Sequence, residues 1–289
     1  MLLTLHAACL KPYLKPAGTT KPARGGKSAP LSLSDLPAYT ADTLGLTGLN
    51  VSTDLLTGAD PKALENLRES ADRRSISLLL LAETEPQPLA SDRDGDAGIE
   101  RMGRVLRAAR LLGCPSVAMA IKSPDDDDAL ESATLRAREI VESAEKLDIN
   151  VLLMPFAGLT EKPERMTEVI KRIGGFRIGT FPDFQTAAAT KDGPLYIRRL
   201  APYAQVICAS TEKFSGVKAE TLADPAAPAP THTAYDLGAM VKAAHTVGYD
   251  NTLSIDYRGP ASGLEDVTMG LRASAAALRQ AIAALSPDA

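Results

Sequence analysis

Eight short apolar runs alternate with amphipathic stretches along this chain, and that alternation constrains its fold more than any other feature. The runs are "LLTLHA", "GLNVS", "SISLLLLAE", "SVAMAIKS", "INVLLMPF", "RIGTFPDF", "AQVICAS" and "TLSIDYRG". Most are almost continuously apolar, as strands covered on both faces must be. Between them, residues 61–74, 98–112, 128–147, 162–173, 235–247 and 264–285 carry helical periodicity. Asp60 before Pro61 supplies an N-cap followed by a proline at the first helical position. Eight strand–helix alternations in 289 residues predict a single α/β domain over residues 1–289, a (β/α)8 TIM barrel. An open doubly wound sheet fits less well, because no G-x-G-x-x-G follows the first strand.

Two segments interrupt the alternation. Residues 9–34 are read as a long flexible loop and residues 223–234 as an extended Pro-rich cover. The first carries Lys11, Lys15, Lys21, Arg24 and Lys27 with no acid before Asp35, and is read as solvated rather than as an anion trap. The acidic run Asp125 to Asp128 is read as a solvated helix start rather than a calcium site.

A net charge of -4 and the lack of a basic stripe argue against nucleic-acid binding. No apolar run reaches the roughly 20 residues that cross a bilayer. Cys9, Cys114 and Cys208 are odd in number and widely spaced, so no disulfide framework is expected and a reducing cytoplasm is the expected compartment.

In a barrel of this kind, chemistry sits at the carboxyl ends of the strands. Those ends carry His6, Ser52, Glu83, Lys122, Met154 to Phe156, Asp183, Cys208 to Ser210, and Asp256 with Arg258. The fifth strand is the exception, for "VLLMPFAGLT" ends without a charge. Cys208 has no flanking base and is read as a small buried residue rather than a nucleophile. Arg258 stands close enough in sequence to neutralise Asp256.

The pattern "VLLMPFAGLT … RIGTFPDFQT … VICASTEKF … LSIDYRGP" resembles the second half of the xylose-isomerase-like TIM barrels, the sugar phosphate isomerase/epimerase superfamily. "AARLLGCPSVAMAI" is similar to that family's helix and fourth strand, and the resemblance runs from about Leu44 onward. It implies a carbohydrate or polyol ligand and, in relatives, dimers or tetramers. It also implies a Mn or Mg ion held by a Glu, an Asp, a His and a Glu on the last four strands, which polarises the sugar carbonyl while carboxylates shuttle the proton. Carried over, those positions fall on Met154, Asp183, Cys208 and Asp256. One ligand is kept, one is shortened and two are replaced by soft sulfur, so metal binding is expected to be weak or absent. The resemblance gives Asp183 and Asp256 the acid/base and residual metal roles, with His6, Lys122 and Arg258 orienting substrate. The alternative is a catalytically silent relative that binds a carbohydrate or a protein. The family's apurinic endonuclease branch needs a histidine-rich zinc cluster and a basic face, and three histidines in an acidic chain do not supply them.

Overall fold

The computed structural model describes residues 1–15, 31–223 and 227–285. Ten strands follow in chain order: β1 (Leu2–His6), β2 (Gly48–Ser52), β3 (Ser77–Ala82), β4 (Ser116–Ala120), β5 (Asn150–Met154), β6 (Ile178–Thr180), β7 (Val206–Thr211), β8 (Phe214–Ser215), β9 (Thr231–His232) and β10 (Thr252–Tyr257). Eight of them form one parallel sheet in the order β6-β5-β4-β3-β2-β1-β10-β7. Two isolated parallel bridges, Thr180 to Ala204 and Asp183 to Cys208, join β6 to β7 and complete the ring. This is the (β/α)8 TIM barrel that the alternation of runs predicts.

Strand pleating divides the core in two. Outward residues such as Leu5, Leu49, Leu81, Val117, Leu153 and Ile255 pack against the surrounding helices. Inside the ring, Leu80, Ala82, Ala118, Leu152, Phe181, Val206 and Cys208 form a separate cluster, and Met154 packs against it. The other side of the interior is polar: Asn50 Nδ2 donates to Thr4 Oγ1 at 3.0 Å and to Ser254 Oγ at 2.7 Å. The interior is therefore largely apolar beneath β3 to β7, where Ser116 Oγ donates to Gln205 Oε1 at 2.8 Å, and hydrogen-bonded beneath β1, β2 and β10.

The helices begin where their capping chemistry places them. Asp60, Asp126, Asp192 and Asp236 each accept a backbone N–H three residues on, opening Pro61–Arg73, Asp127–Glu145, Gly193–Leu200 and Leu237–Thr246. The acidic run is thus spent on a helix start, with Asp125 also bridged to Lys162 and Arg165 at 3.2 and 2.9 Å. The remaining long helices are Gly95–Leu112, Pro163–Ile173 and Leu264–Ala283. Among the described residues four short helices escape the sequence periodicity, Leu36–Ala38, Phe184–Ala188, Gly193–Leu200 and Ala219–Ala223, because each is too short to repeat an apolar face.

Both presumed loops contain structure. Residues Ala7–Tyr13 wind into 3-10 turns directly after β1. Part of the Pro-rich segment is a strand, since β9 pairs antiparallel with β8. Lys21, Arg24 and Lys27 lie outside the described residues. The loop after β5, uncharged from Pro155 to Thr160, is pinned to the loop after β4: Leu159 N–H donates to Ser123 O at 3.3 Å. Gly158 makes this approach at φ +95°, where a Cβ would overlap the Ser123 carbonyl oxygen. Among the described residues no helix is long and apolar enough to cross a membrane.

Candidate functional site

Asp183 lies three residues beyond β6 and Asp256 lies on β10, on opposite flanks of β7, and both are buried. Asp183 caps the short helix Phe184–Ala188 by accepting Thr186 N–H at 2.7 Å. Its backbone is fixed by the bridge to Cys208. Arg258 follows Asp256 by two residues, and its own N–H donates to Thr211 O at 2.7 Å. That bond turns the side chain back over the barrel mouth.

The guanidinium sits between the two carboxylates. Nε donates to Asp256 Oδ2 at 2.7 Å, and the two terminal nitrogens reach Asp183 Oδ2 at 2.7 Å and Oδ1 at 3.3 Å. The remaining contacts are Gln185 Oε1 at 2.9 Å and Cys208 Sγ at 3.6 Å. Five N–H groups thus meet five acceptors, and none is left directed at a ligand. Burial alone raises the Asp183 carboxyl, but Arg258 and the Thr186 N–H outweigh it and hold the group below the usual carboxylate value. Burial works against the charge on Arg258, yet the carboxylates of Asp183 and Asp256 together hold it firmly cationic. The Cys208 thiol is pushed well up, first by burial and then by the Asp183 charge, so it is no nucleophile.

These residues do not fit a divalent ion while Arg258 stands among them. Three of the four carboxylate oxygens already accept from a guanidinium. Met154 belongs to the apolar interior, and the Cys208 thiol is protonated. Among the described residues no group of three or more His, Cys, Asp and Glu is placed to hold a metal.

The rest of the ring divides into free and committed groups. His6 is 7% exposed and stands edge-on to Phe181 with ring centroids 6.0 Å apart, and its Nδ1 is buried without a partner. In the parallel register it faces Asn50, whose Oδ1 is also buried and unpartnered. Glu83 is fully buried and committed to Arg101 at 2.7 Å, Thr53 Oγ1 at 3.1 Å and its neighbour Glu85 N–H at 2.9 Å. Lys122 is exposed and lines a separate groove of about 600 Å³ with Ser91, Asp126 and Asp128. Lys11 pairs with Asp54 at 2.8 Å.

Sequence reasoning placed Asp183, Asp256 and Arg258 on one end of the barrel but did not join Arg258 to Asp183, 75 residues away. It also missed Gln185, whose signal is its place two residues after a strand-end acid. The Glu83–Arg101 pair was out of reach, since nothing marks which arginine of a helix turns toward the mouth.

The family description "Xylose isomerase-like TIM barrel" matches residues 39–285. Among solved structures, an L-ribulose 3-epimerase superposes with a TM-score of 0.72 at 16% identity, covering 96% of this chain and 93% of that one. The IolI protein with a binding zinc atom gives 0.74 at 12% identity, covering 99% of this chain and 100% of that one. D-psicose 3-epimerase with D-tagatose from Clostridium cellulolyticum H10 gives 0.70 at 14% identity, covering 98% of each chain. At these identities the likeness is one of fold. No curated protein matches the sequence.

Proposed function

Because the chain belongs to the xylose isomerase-like TIM barrel family, we propose that it takes a carbohydrate or related polyol at the carboxyl-terminal mouth of its barrel. We propose further that it does so without metal-assisted isomerisation. The observation that carries this reading is the Arg258 guanidinium held between Asp183 and Asp256. A proton shuttle needs two carboxylates free to exchange a proton with substrate, and here both are engaged by one cation. Asp256 Oδ1 accepts from no described residue, and with the unpartnered His6 it offers a hydroxyl-bearing ligand a place to bond. Asp183 and Arg258 act as the fixed frame of the site in this reading, and Lys122, exposed in its separate groove, lies outside it.

A second reading keeps the isomerase or epimerase activity, and the retained strand-end Asp183 and Asp256 favour it. The likeness in fold to an L-ribulose 3-epimerase and to a D-psicose 3-epimerase with D-tagatose makes those three sugars the first ligands to try. Calorimetric titration of chelator-treated protein with each sugar tests the proposal, alongside chromatographic assay for epimerised product with added Mn. Metal-independent binding that weakens in His6→Ala and Asp256→Asn supports it. Mn-dependent turnover would establish the second reading instead.

A further inference from the structure

We propose that Arg258 is a built-in cation that closes a latent oxygen-donor metal site, and that removing its guanidinium opens that site to a divalent ion. This rests on the geometry of the cluster and not on the identity of any sugar. It deepens the reading of a barrel that works without metal.

Four oxygens from three side chains converge on the one guanidinium: both oxygens of Asp183, Oδ2 of Asp256 and Oε1 of Gln185. Two carboxylates and an amide carbonyl form a hard donor set, which suits Mg or Mn rather than a thiophilic ion. Each donor is held by structure that does not include Arg258. Asp183 is fixed by its helix cap and its strand bridge, Asp256 by the β10 pairing with β7, and Gln185 by its backbone N–H bond to Ser210 Oγ at 2.9 Å and by its side-chain Nε2, which donates to Glu212 Oε2 at 3.3 Å. The oxygens are therefore expected to stay in place when the arginine is shortened. Two buried like charges without a counter-ion are then left to attract one or to protonate.

The same contacts explain why the intact protein should not take up metal. An ion would have to displace a guanidinium that makes five polar contacts and is tethered to the chain two residues from one of its partners. Cys208 at 3.6 Å and Met154 in the interior cluster add no hard donor that would favour the exchange.

The test uses the full chain, as wild type and as Arg258→Ala, each stripped with chelator and titrated with Mn2+. Free Mn2+ is followed by electron paramagnetic resonance, and thermal unfolding is recorded with and without the ion. The expected result is no stoichiometric Mn2+ on the wild type and about one ion on the variant, bound at least roughly tenfold more tightly. Mn2+ should raise the melting temperature of the variant alone, and Asp183→Asn in the variant background should abolish both effects. If Arg258→Ala does not fold, Arg258→Gln is measured in its place, and refolding of Arg258→Ala is attempted with and without Mn2+. Recovery of the fold only with the ion supports the proposal. It is overturned if a folded variant binds no more Mn2+ than wild type, or if Mn2+ fails to restore variants that do not fold. Stoichiometric Mn2+ on the wild type, lost in Asp183→Asn, also overturns it. Sugar binding by metal-free wild type is read separately, so failure of the functional reading leaves this result distinguishable.

Discussion

Replacing Asp183 by Asn separates the two roles of this carboxylate. As a helix cap it accepts Thr186 N–H at 2.7 Å, and an asparagine oxygen does that equally well. As the partner of Arg258 it cannot be replaced, for the new amide turns an N–H toward the guanidinium or leaves one of its donors unmet. Breaking a buried pair by removing one partner costs about 3–5 kcal/mol. Arg258 keeps Asp256 and has a third of its side chain exposed, so the lower end, about 3 kcal/mol, is expected. For a chain of this size that lowers Tm by roughly 6–12 °C. The effect also has a sign in pH. Asp183 is held below its unfolded value, so its contribution is complete above the unfolded pKa of about 3.9 and is lost as pH falls through the folded value. Urea unfolding of both proteins should show the full gap near neutral pH and a shrinking one below about pH 4. A gap under about 1 kcal/mol, or one that ignores pH, would refute a buried ion pair.

Three further outcomes are expected. Arg101→Ala leaves the fully buried Glu83 unneutralised and should cost about 3–5 kcal/mol in urea unfolding, with Glu83→Gln in the same chain returning part of the loss. Gly158→Ala places a methyl against the Ser123 carbonyl at a left-handed φ and should cost about 2 kcal/mol or more, whereas Gly45→Ala, in open space at φ +62°, should cost about 1. Burial pushes the Cys114 thiol up to about 12, and burial together with the Asp183 charge holds Cys208 well above its ordinary value. In native protein near pH 8, both should react with a thiol reagent only as fast as the chain opens, and a rapid phase assigned to either by mass spectrometry would contradict their burial.

Strand positions were legible because parallel strands covered on both faces keep few polar residues, so Val151 to Leu153 or Leu78 to Leu81 stand out without any partner being known. The strand ends were legible for the same reason, since the first polar residue after an apolar run marks the mouth. Pairing across the ring was not. Whether Arg258 neutralises its near neighbour or spans to Asp183 depends on how β7 sets β6 apart from β10, which is a property of the closed sheet. The short helices and β9 were hidden because two to eight residues carry too little periodicity to separate from loop.

The weakest joint of the ring lies beside the candidate site. β6 is only three residues long, and it meets β7 through single bridges where the neighbouring strands share continuous ladders. Side chains supply what the ladder lacks there: Arg258, the residue after β10, reaches over β7 to Asp183, Gln185 N–H bonds Ser210 Oγ, and Thr180 Oγ1 donates to Leu200 O. The ion cluster is thus a clasp on a seam. Opening the seam and disassembling the site are one event, so amide exchange at Cys208, whose N–H is held by Pro182 O, should report on both. A ligand that tightens the clasp would slow that exchange while touching neither edge of the gap.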